Sequence, residues 1–424
     1  MPGVILSVTQ VFTQHKIFFL ISMTAATPFS TFLKDQYARI FGRPWAVIPS
    51  ALVIGSLNVF LFAFDKPWTA SDGMRNWGDW LFQSLRLVTP SDLLPPWLYS
   101  GSVLNLGVLL GGFAAALLSR EFGFRPAPAA ELIKGALGGL LMGWGAMLAF
   151  GCNIGGFFSA LSALSLSGLG MMAGLFAGAF LSTRYLIWEN AKLIRAGHVP
   201  FMSVCEAPPQ TAPTSAFFAV QPWLGGFLLL ALLSAGYLYG QSGHQLLAVF
   251  LFFGVAFGMV FQRSRFCFVN AFREAFLSGQ SEHARAGALA LTLCMIGFSI
   301  LKATDLKDAT EWVFPSFWLG AMTGGTLFGI GMVIAGGCGA GTIWRAGEGH
   351  VKLWVALFFF AIGASMMRRL LVSTELIRQL GSASFLPNLM GWTSAIWLVV
   401  ALMALWYLLS GWNEQRKSVG LLKS

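Results

Sequence analysis

Six glycines and a cysteine recur at identical spacing in two distant apolar stretches, and no other feature constrains this chain as tightly. A shift of 186 residues carries Gly138, Gly139, Gly143, Gly145, Gly151, Cys152 and Gly155 onto Gly324, Gly325, Gly329, Gly331, Gly337, Cys338 and Gly341. Leu141 and Ala149 fall on Leu327 and Ala335 under the same shift. The chain therefore reads as two related halves, each with a thiol where an apolar segment breaks.

The surroundings of the two motifs set the fold class. Hydrophobic residues make up 56% of the chain and charged ones 10%, and mean hydropathy is +0.70, whereas soluble domains carry about a quarter charged residues. About 20 apolar residues cross a bilayer as a helix. Candidate spans lie near 45–64, 102–119, 134–150, 167–187, 222–240, 245–261, 286–303, 316–336, 351–367 and 394–410. The expected fold is an all-α polytopic membrane protein of about ten transmembrane segments, with re-entrant half-helices and two pseudo-symmetric repeats.

Residues 1–188 form the expected N-terminal repeat and 222–424 the C-terminal one. Between them, 189–221 holds four prolines and reads as a linker. The region 65–96 mixes tryptophans, prolines and acids, which suggests an interfacial helix with loops. The apolar 17–29 lacks the charged start and small-residue cleavage site of a secretory signal and is expected to be retained, embedded or interfacial. A net charge of +10 is scattered through span-flanking loops, which fits membrane topology better than a nucleic-acid stripe.

Five cysteines, Cys152, Cys205, Cys267, Cys294 and Cys338, include no CxxC pair, and the five histidines show no ligand spacing. Neither a disulfide framework nor a metal, haem or other cofactor is expected. The chain contains no phosphate-binding GxxxxGK[ST] loop, so ATP does not drive it.

GCNIGG at 151–156 and GCGAG at 337–341 each follow a glycine-studded run. A broken helix is allowed at membrane depth where its backbone lines a cavity. The half-helix that follows offers free N–H groups and a positive dipole end to an anion. A helix starting at each cysteine carries Cys152, Gly155, Gly156 and Ser159 on one face, and Cys338, Gly341, Thr342 and Arg345 on the other copy's face. The plainer alternative is that these glycines only let helices approach closely.

A third thiol lies in FQRSRFCFVNAFRE at 261–274. On one continuous helix Arg263, Cys267, Asn270, Ala271 and Glu274 share a face, and charges near a membrane segment tend to mark a pathway. The alternative is a positive anchor with an incidental thiol. The 186-residue shift sets Cys267 against Leu81, so it supplies no first-half counterpart. Cys294 reads as a small core residue, and nothing around Cys205 argues for a role.

At GGLLMGWGAMLAFGCNIGGFFSAL (138–161), RSRFCFVNAFREAFLSG (263–279) and FGIGMVIAGGCGAGTIWRAGEGH (328–350), the chain resembles the YeeE/YedE family of bacterial inner-membrane proteins. That family includes thiosulfate-uptake transporters and members associated with selenium metabolism. The resemblance implies spanning helices with shorter re-entrant ones around an hourglass-shaped path, whose lining thiols correspond to Cys152, Cys267 and Cys338. Gly151, Asn153, Gly155, Gly337, Gly341, Thr342, Arg345, Arg263, Asn270 and Glu274 are the expected supporting residues of an anion path. The resemblance also implies a cytosolic sulfur-carrier partner similar to TusA. The long region before Gly138 and the proline-rich linker look closer to the YedE-like branch.

The expected activity is uptake of a small sulfur oxyanion, thiosulfate first, with no catalytic residue. A selenium compound is the alternative cargo, and a membrane sulfurtransferase forming a cysteine persulfide is the alternative chemistry. Thiols are weak donors, and weak sites in series suit conduction. Against an inside-negative potential a dianion faces roughly 2.3 kcal/mol per charge per 100 mV. Proton co-transport through Glu274 or Glu348, or capture by the cytosolic carrier, would offset that cost.

Overall fold

A computed structural model describes residues 29–87, 93–197 and 216–416. Residues 17–28 of the apolar N-terminal stretch and 198–215 of the expected linker, with Cys205, lie outside the described residues. The chain divides into two compact units, Met1–Pro44 and Trp45–Ser424. In the first, Phe29–Phe41 forms one helix, α1, with exposed Phe29, Phe32, Leu33 and Ile40.

The second unit is helical throughout, with no strand among the described residues. In chain order it contains α2 (Val47–Phe64), α3 (Ala70–Ser84), α4 (Ser100–Leu118), α5 (Ala129–Leu148), α6 (Asn153–Ser162), α7 (Leu166–Arg195), α8 (Ala216–Gln241), α9 (Gln245–Ser264), α10 (Phe268–Leu277), α11 (Glu282–Ala303), α12 (Leu319–Ala335), α13 (Gly339–Gly347), α14 (Val351–Ser373) and α15 (Trp392–Arg416). Nine helices among the described residues are long and apolar enough to cross a bilayer. A tenth crossing follows if α5 and α6, bent by 41° at their break, count as one. Each of the ten apolar intervals expected from sequence overlaps one of these long helices.

Four short helices, α3, α6, α10 and α13, each follow a break behind a longer one. The order long, short, long, long, short, long, long occurs over Val47–Gln241 and again over Gln245–Arg416, where a 3-10 turn at Leu376–Gln379 and a five-residue helix at Leu386–Met390 interrupt the last connection. Packing partners match across the two series: α5 lies on α14 and α7 on α12, while α4 lies on α9 and α2 on α11. Helix α8 begins inside the expected linker, at Ala216.

The shared glycines explain how the centre is held. Where α5 crosses α12, a Cβ added at Gly138 would lie 2.7 Å from the Gly331 carbonyl oxygen, and one at Gly331 would lie 2.6 Å from that of Gly138. Gly145 and Gly324 stand in the same reciprocal relation, at 2.5 and 2.6 Å. Backbones this close leave no room for side chains, which is how small residues draw membrane helices together. Gly139 and Gly143 meet α14 in the same manner, and Gly325 and Gly329 meet α7. For these eight positions the close-packing alternative holds.

The helix expected within 65–96 is α3. Helix α3 buries Ala70, Ser71, Met74 and Asp79 and packs on α4 and α14. Trp68, just before it, is 2% exposed and donates its indole N–H to Asn105 Oδ1 at 3.1 Å. One of the acids in this region is satisfied internally: Asp79 pairs with Arg75 at 2.8 Å and with Arg369 at 3.3 Å.

Candidate functional site

The four short helices share one local design, in which the residue before each is extended and its side chain lies at a helix N-terminus. These four caps are Thr69, Cys152, Cys267 and Cys338. Cys152 and Cys338 have φ/ψ of −74°/−178° and −78°/−178°. Thr69 and Cys267 have −137°/117° and −145°/125°. The backbone thus matches Cys152 with Cys338 and Thr69 with Cys267.

The break before each matched thiol uses a left-handed residue. Gly336 ends α12 at φ 80°, and Phe150, its counterpart under the 186-residue shift, has φ 60°. Glycine adopts that conformation freely, whereas a side chain there costs about 1–2 kcal/mol.

The three thiols named from sequence come together around one turn of α13. Cys152, Cys267 and Cys338 are each at most 1% exposed. A Cβ on Gly341 would lie 3.2 Å from Cys338 Sγ and 3.5 Å from Cys267 Sγ. One on Gly339, two residues away, would lie 3.3 Å from Cys152 Sγ. The Cys338 sulfur hydrogen-bonds the Cys267 side chain and accepts from the backbone N–H groups of Phe268 and Gly341, the latter at 3.3 Å. Donors from the N-termini of α10 and α13 therefore converge on one atom, as an anion site requires. Phe157, Phe158, Phe266 and Phe268 are fully buried nearby and close rings against one another.

The first-series caps form a different pair. Thr69 Oγ1 lies 3.9 Å from Cys152 Sγ and 3.0 Å from Ser71 Oγ, and Ser71 Oγ accepts the Cys152 backbone N–H at 3.1 Å. A Cβ on Gly155 would meet Thr69 Oγ1 at 2.2 Å, just as Gly341 leaves room for Cys267. Sequence reasoning missed Thr69 and Ser71. The signal was there under a shift of 198 (267 minus 69), which also sets Phe266 on Trp68 and Arg273 on Arg75.

The supporting residues divide into two groups. Asn153 Oδ1 accepts the Gly339 N–H at 3.2 Å, and Thr342 donates its hydroxyl to the Cys338 carbonyl at 2.7 Å. Gly151 lies against the Gly156 backbone and Gly337 against Thr342. Those residues, with Gly155 and Gly341, surround the thiols. Arg345 instead donates to the Gly336 carbonyl at 3.2 Å and lies over the Trp344 ring. Asn270 and Glu274 bond Arg273 at 3.2 and 3.0 Å.

Arg263 corrects the expectation of one continuous helix through Cys267. It belongs to α9, which ends in a left-handed Arg265 at φ 54° before α10 begins, so Arg263 and Cys267 share no helical face. Its side chain joins a buried charged cluster that the sequence did not reveal. Glu121 accepts from Gln262, Arg263 and Arg265 at 2.7, 3.3 and 2.7 Å. Glu348, fully buried, accepts from Gln262 at 3.0 Å and pairs with Arg265, Arg125 and His350 at 3.4, 3.5 and 3.5 Å.

Burial alone would push the Glu348 carboxyl up, but His350, Arg265 and Arg125 outweigh it and hold that group at about 2. Burial pushes His350 below its ordinary 6.5, with Arg125 and Arg345 acting in the same direction and Glu348 opposing them. Cys294 is held by Asn58 at 3.5 Å and by Ser162. It ties α11 to α2 and α6 and stays apart from the other three thiols.

Fold and site together define a multi-pass helical membrane protein whose interrupted helices bring thiols and backbone donors to a buried point. The family described as Sulphur transport matches residues 4–181 and 263–421. The chain belongs to that family, the YeeE/YedE family of sulfur-compound transporters. It is 28% identical to the probable transporter YedE of Escherichia coli (strain K12) over 339 residues, 76% of this chain and 80% of that relative. It is 37% identical to the thiosulfate transporter TsuA of the same organism over 115 residues, 27% of this chain and 32% of TsuA. The TsuA of Spirochaeta thermophila is 39% identical over 114 residues, 27% of this chain and 34% of its own.

Proposed function

We propose that this protein takes up a small sulfur oxyanion, thiosulfate first, across the bacterial inner membrane through a path pinched at Cys152, Cys267 and Cys338. One observation carries the reading: three thiols from three interrupted helices gather around Gly339–Gly341, where N–H donors of α10 and α13 meet. The thiols suit the terminal sulfur and the N–H groups suit the oxygens. Each contact is weak enough to release the ion, as passage demands. The names of the TsuA relatives favour thiosulfate within the sulfur compounds of the family.

The two series of helices are read as inverted halves, Val47–Gln241 and Gln245–Arg416. Each has five long helices, and an odd number of crossings reverses the second half. The matched caps and the reciprocal glycine contacts support this. A carboxylate held at about 2 stays ionised at neutral pH, so Glu348 moves no proton, and co-transport would fall to Glu274 alone. A cytosolic sulfur carrier similar to TusA is the proposed acceptor, and it offsets the roughly 2.3 kcal/mol per charge per 100 mV that opposes entry.

Uptake of sulfane-labelled thiosulfate into proteoliposomes tests the reading. Wild-type protein is expected to accumulate label and the Cys338→Ala protein to lose it. Folded, reconstituted wild-type protein that accumulates none would overturn unaided thiosulfate uptake.

A further inference from the structure

The thiols account for the soft sulfur of a passing anion but do not distinguish a sulfur oxyanion from a sulfur species without oxygens. One buried side chain beside them has the chemistry to do so. Asn153 is the first residue of α6 and is fully buried. Its Oδ1 accepts the Gly339 N–H at 3.2 Å. An N–H donor must face the carbonyl end of an amide, so this contact fixes which end of the side chain is which. The remaining Nδ2 has no hydrogen-bond partner among the described residues.

A buried amide donor without an acceptor is costly and rare. This one sits beside the gathered thiols. The position a Cβ would take on Gly339 is 3.3 Å from both Asn153 Oδ1 and Cys152 Sγ, so the amide and the thiol border the same small space. Gly339 is also the counterpart of Asn153 under the 186-residue shift (339 minus 153). Two asparagines would collide there, and only one half supplies the donor.

We propose that the Asn153 amide is the specificity-determining donor, with Nδ2 holding an oxygen of the anion while the thiols hold its sulfur. The inference rests on the uptake reading above and adds a selection rule: sulfur anions that carry oxygens are passed in preference to hydrosulfide. Oδ1, occupied by Gly339, keeps the amide from turning, so Nδ2 stays the unpartnered end.

The test is labelled thiosulfate uptake in proteoliposomes, with hydrosulfide as competitor, for wild type, Asn153→Leu and Asn153→Asp. A hydrogen bond to a charged group is worth enough that its loss in Asn153→Leu raises KM for thiosulfate by about tenfold or more, with hydrosulfide inhibition unchanged. Asn153→Asp keeps the acceptor for Gly339, so it decides the matter if Asn153→Leu does not fold. Its uptake at neutral pH falls by about tenfold, and acid restores it by protonating the carboxyl into a donor. Unchanged KM and selectivity in the folded variants overturn the inference and leave the uptake reading standing. No uptake by wild type overturns both.

Discussion

The two cap pairs share a backbone and differ in chemistry. Thr69 with Cys152 and Cys267 with Cys338 begin short helices with nearly the same dihedrals, and a glycine three residues after Cys152 or Cys338 makes room for the other cap. One pair joins a hydroxyl to a thiol at 3.9 Å; the other joins two thiols that also collect two backbone N–H donors. On the uptake reading proposed above, the common geometry serves any anion that a helix N-terminus attracts, while the side chains set its chemical preference. A softer pair on one side and a harder pair on the other suits an ion with sulfur at one end and oxygens at the other.

Removing a thiol from the softer pair gives the largest expected effect. Cys338→Ala should lower thiosulfate uptake by at least about tenfold, since a bond to a charged group is worth about 1.5–3 kcal/mol, whereas Cys294→Ala leaves uptake unchanged. Equal losses in the two variants would dissolve the distinction between path and core thiols.

Stability offers a sharper test of the matching. Gly145→Val and Gly331→Val push side chains into opposite ends of the same α5–α12 crossing, where added Cβ atoms would lie 2.5 and 2.6 Å from facing carbonyl oxygens. Each should cost about 1–3 kcal/mol, read as a lower Tm in detergent. Clearly unequal losses would break the two-fold comparison.

The charged cluster around Glu121 and Glu348 responds to pH. His350 is depressed in the folded protein, so its neutral form favours folding, and stability is lost as pH falls below about 6.5, its ordinary value. Glu348 is also depressed, so its contribution is full above about 4.5 and is lost as pH falls towards about 2. Melting between pH 8 and pH 3 should show both steps, and His350→Gln should remove the first and shrink the second, because His350 helps to hold Glu348 down.

The smallest effect is the most discriminating about chemistry. Thr69→Cys makes the first pair resemble the second and should change thiosulfate uptake by only about threefold, within the worth of one neutral hydrogen bond. Thr69→Val deletes the polar group and should lower uptake further. Equal uptake in wild type and Thr69→Val would remove Thr69 from the path.

Much of this was legible in the sequence for a physical reason: a bilayer forces long apolar runs, and all ten expected intervals overlap a long helix. Cys152 and Cys338 were legible because one shift of 186 carries one to the other, and Cys267 because arginines surround it in an apolar stretch. Thr69 was hidden because loops of unequal length change the shift to 198 by the time Cys267 is reached, and because a hydroxyl stands where a thiol stands in the other half. The pairing of Arg263 with Glu121 was hidden for a different reason. A left-handed Arg265 ends the helix between Arg263 and Cys267, and helical spacing does not continue across such a break.

The most direct test of the central claim, that three thiols line the route of a sulfur anion, is mass-spectrometric mapping of alkylation by a small water-soluble maleimide, with and without thiosulfate. Cys152, Cys267 and Cys338 should react through the path and be protected together by thiosulfate, while Cys294 reacts more slowly and is indifferent to it. Protection of Cys294 alongside them, or of none of the three, would contradict the account.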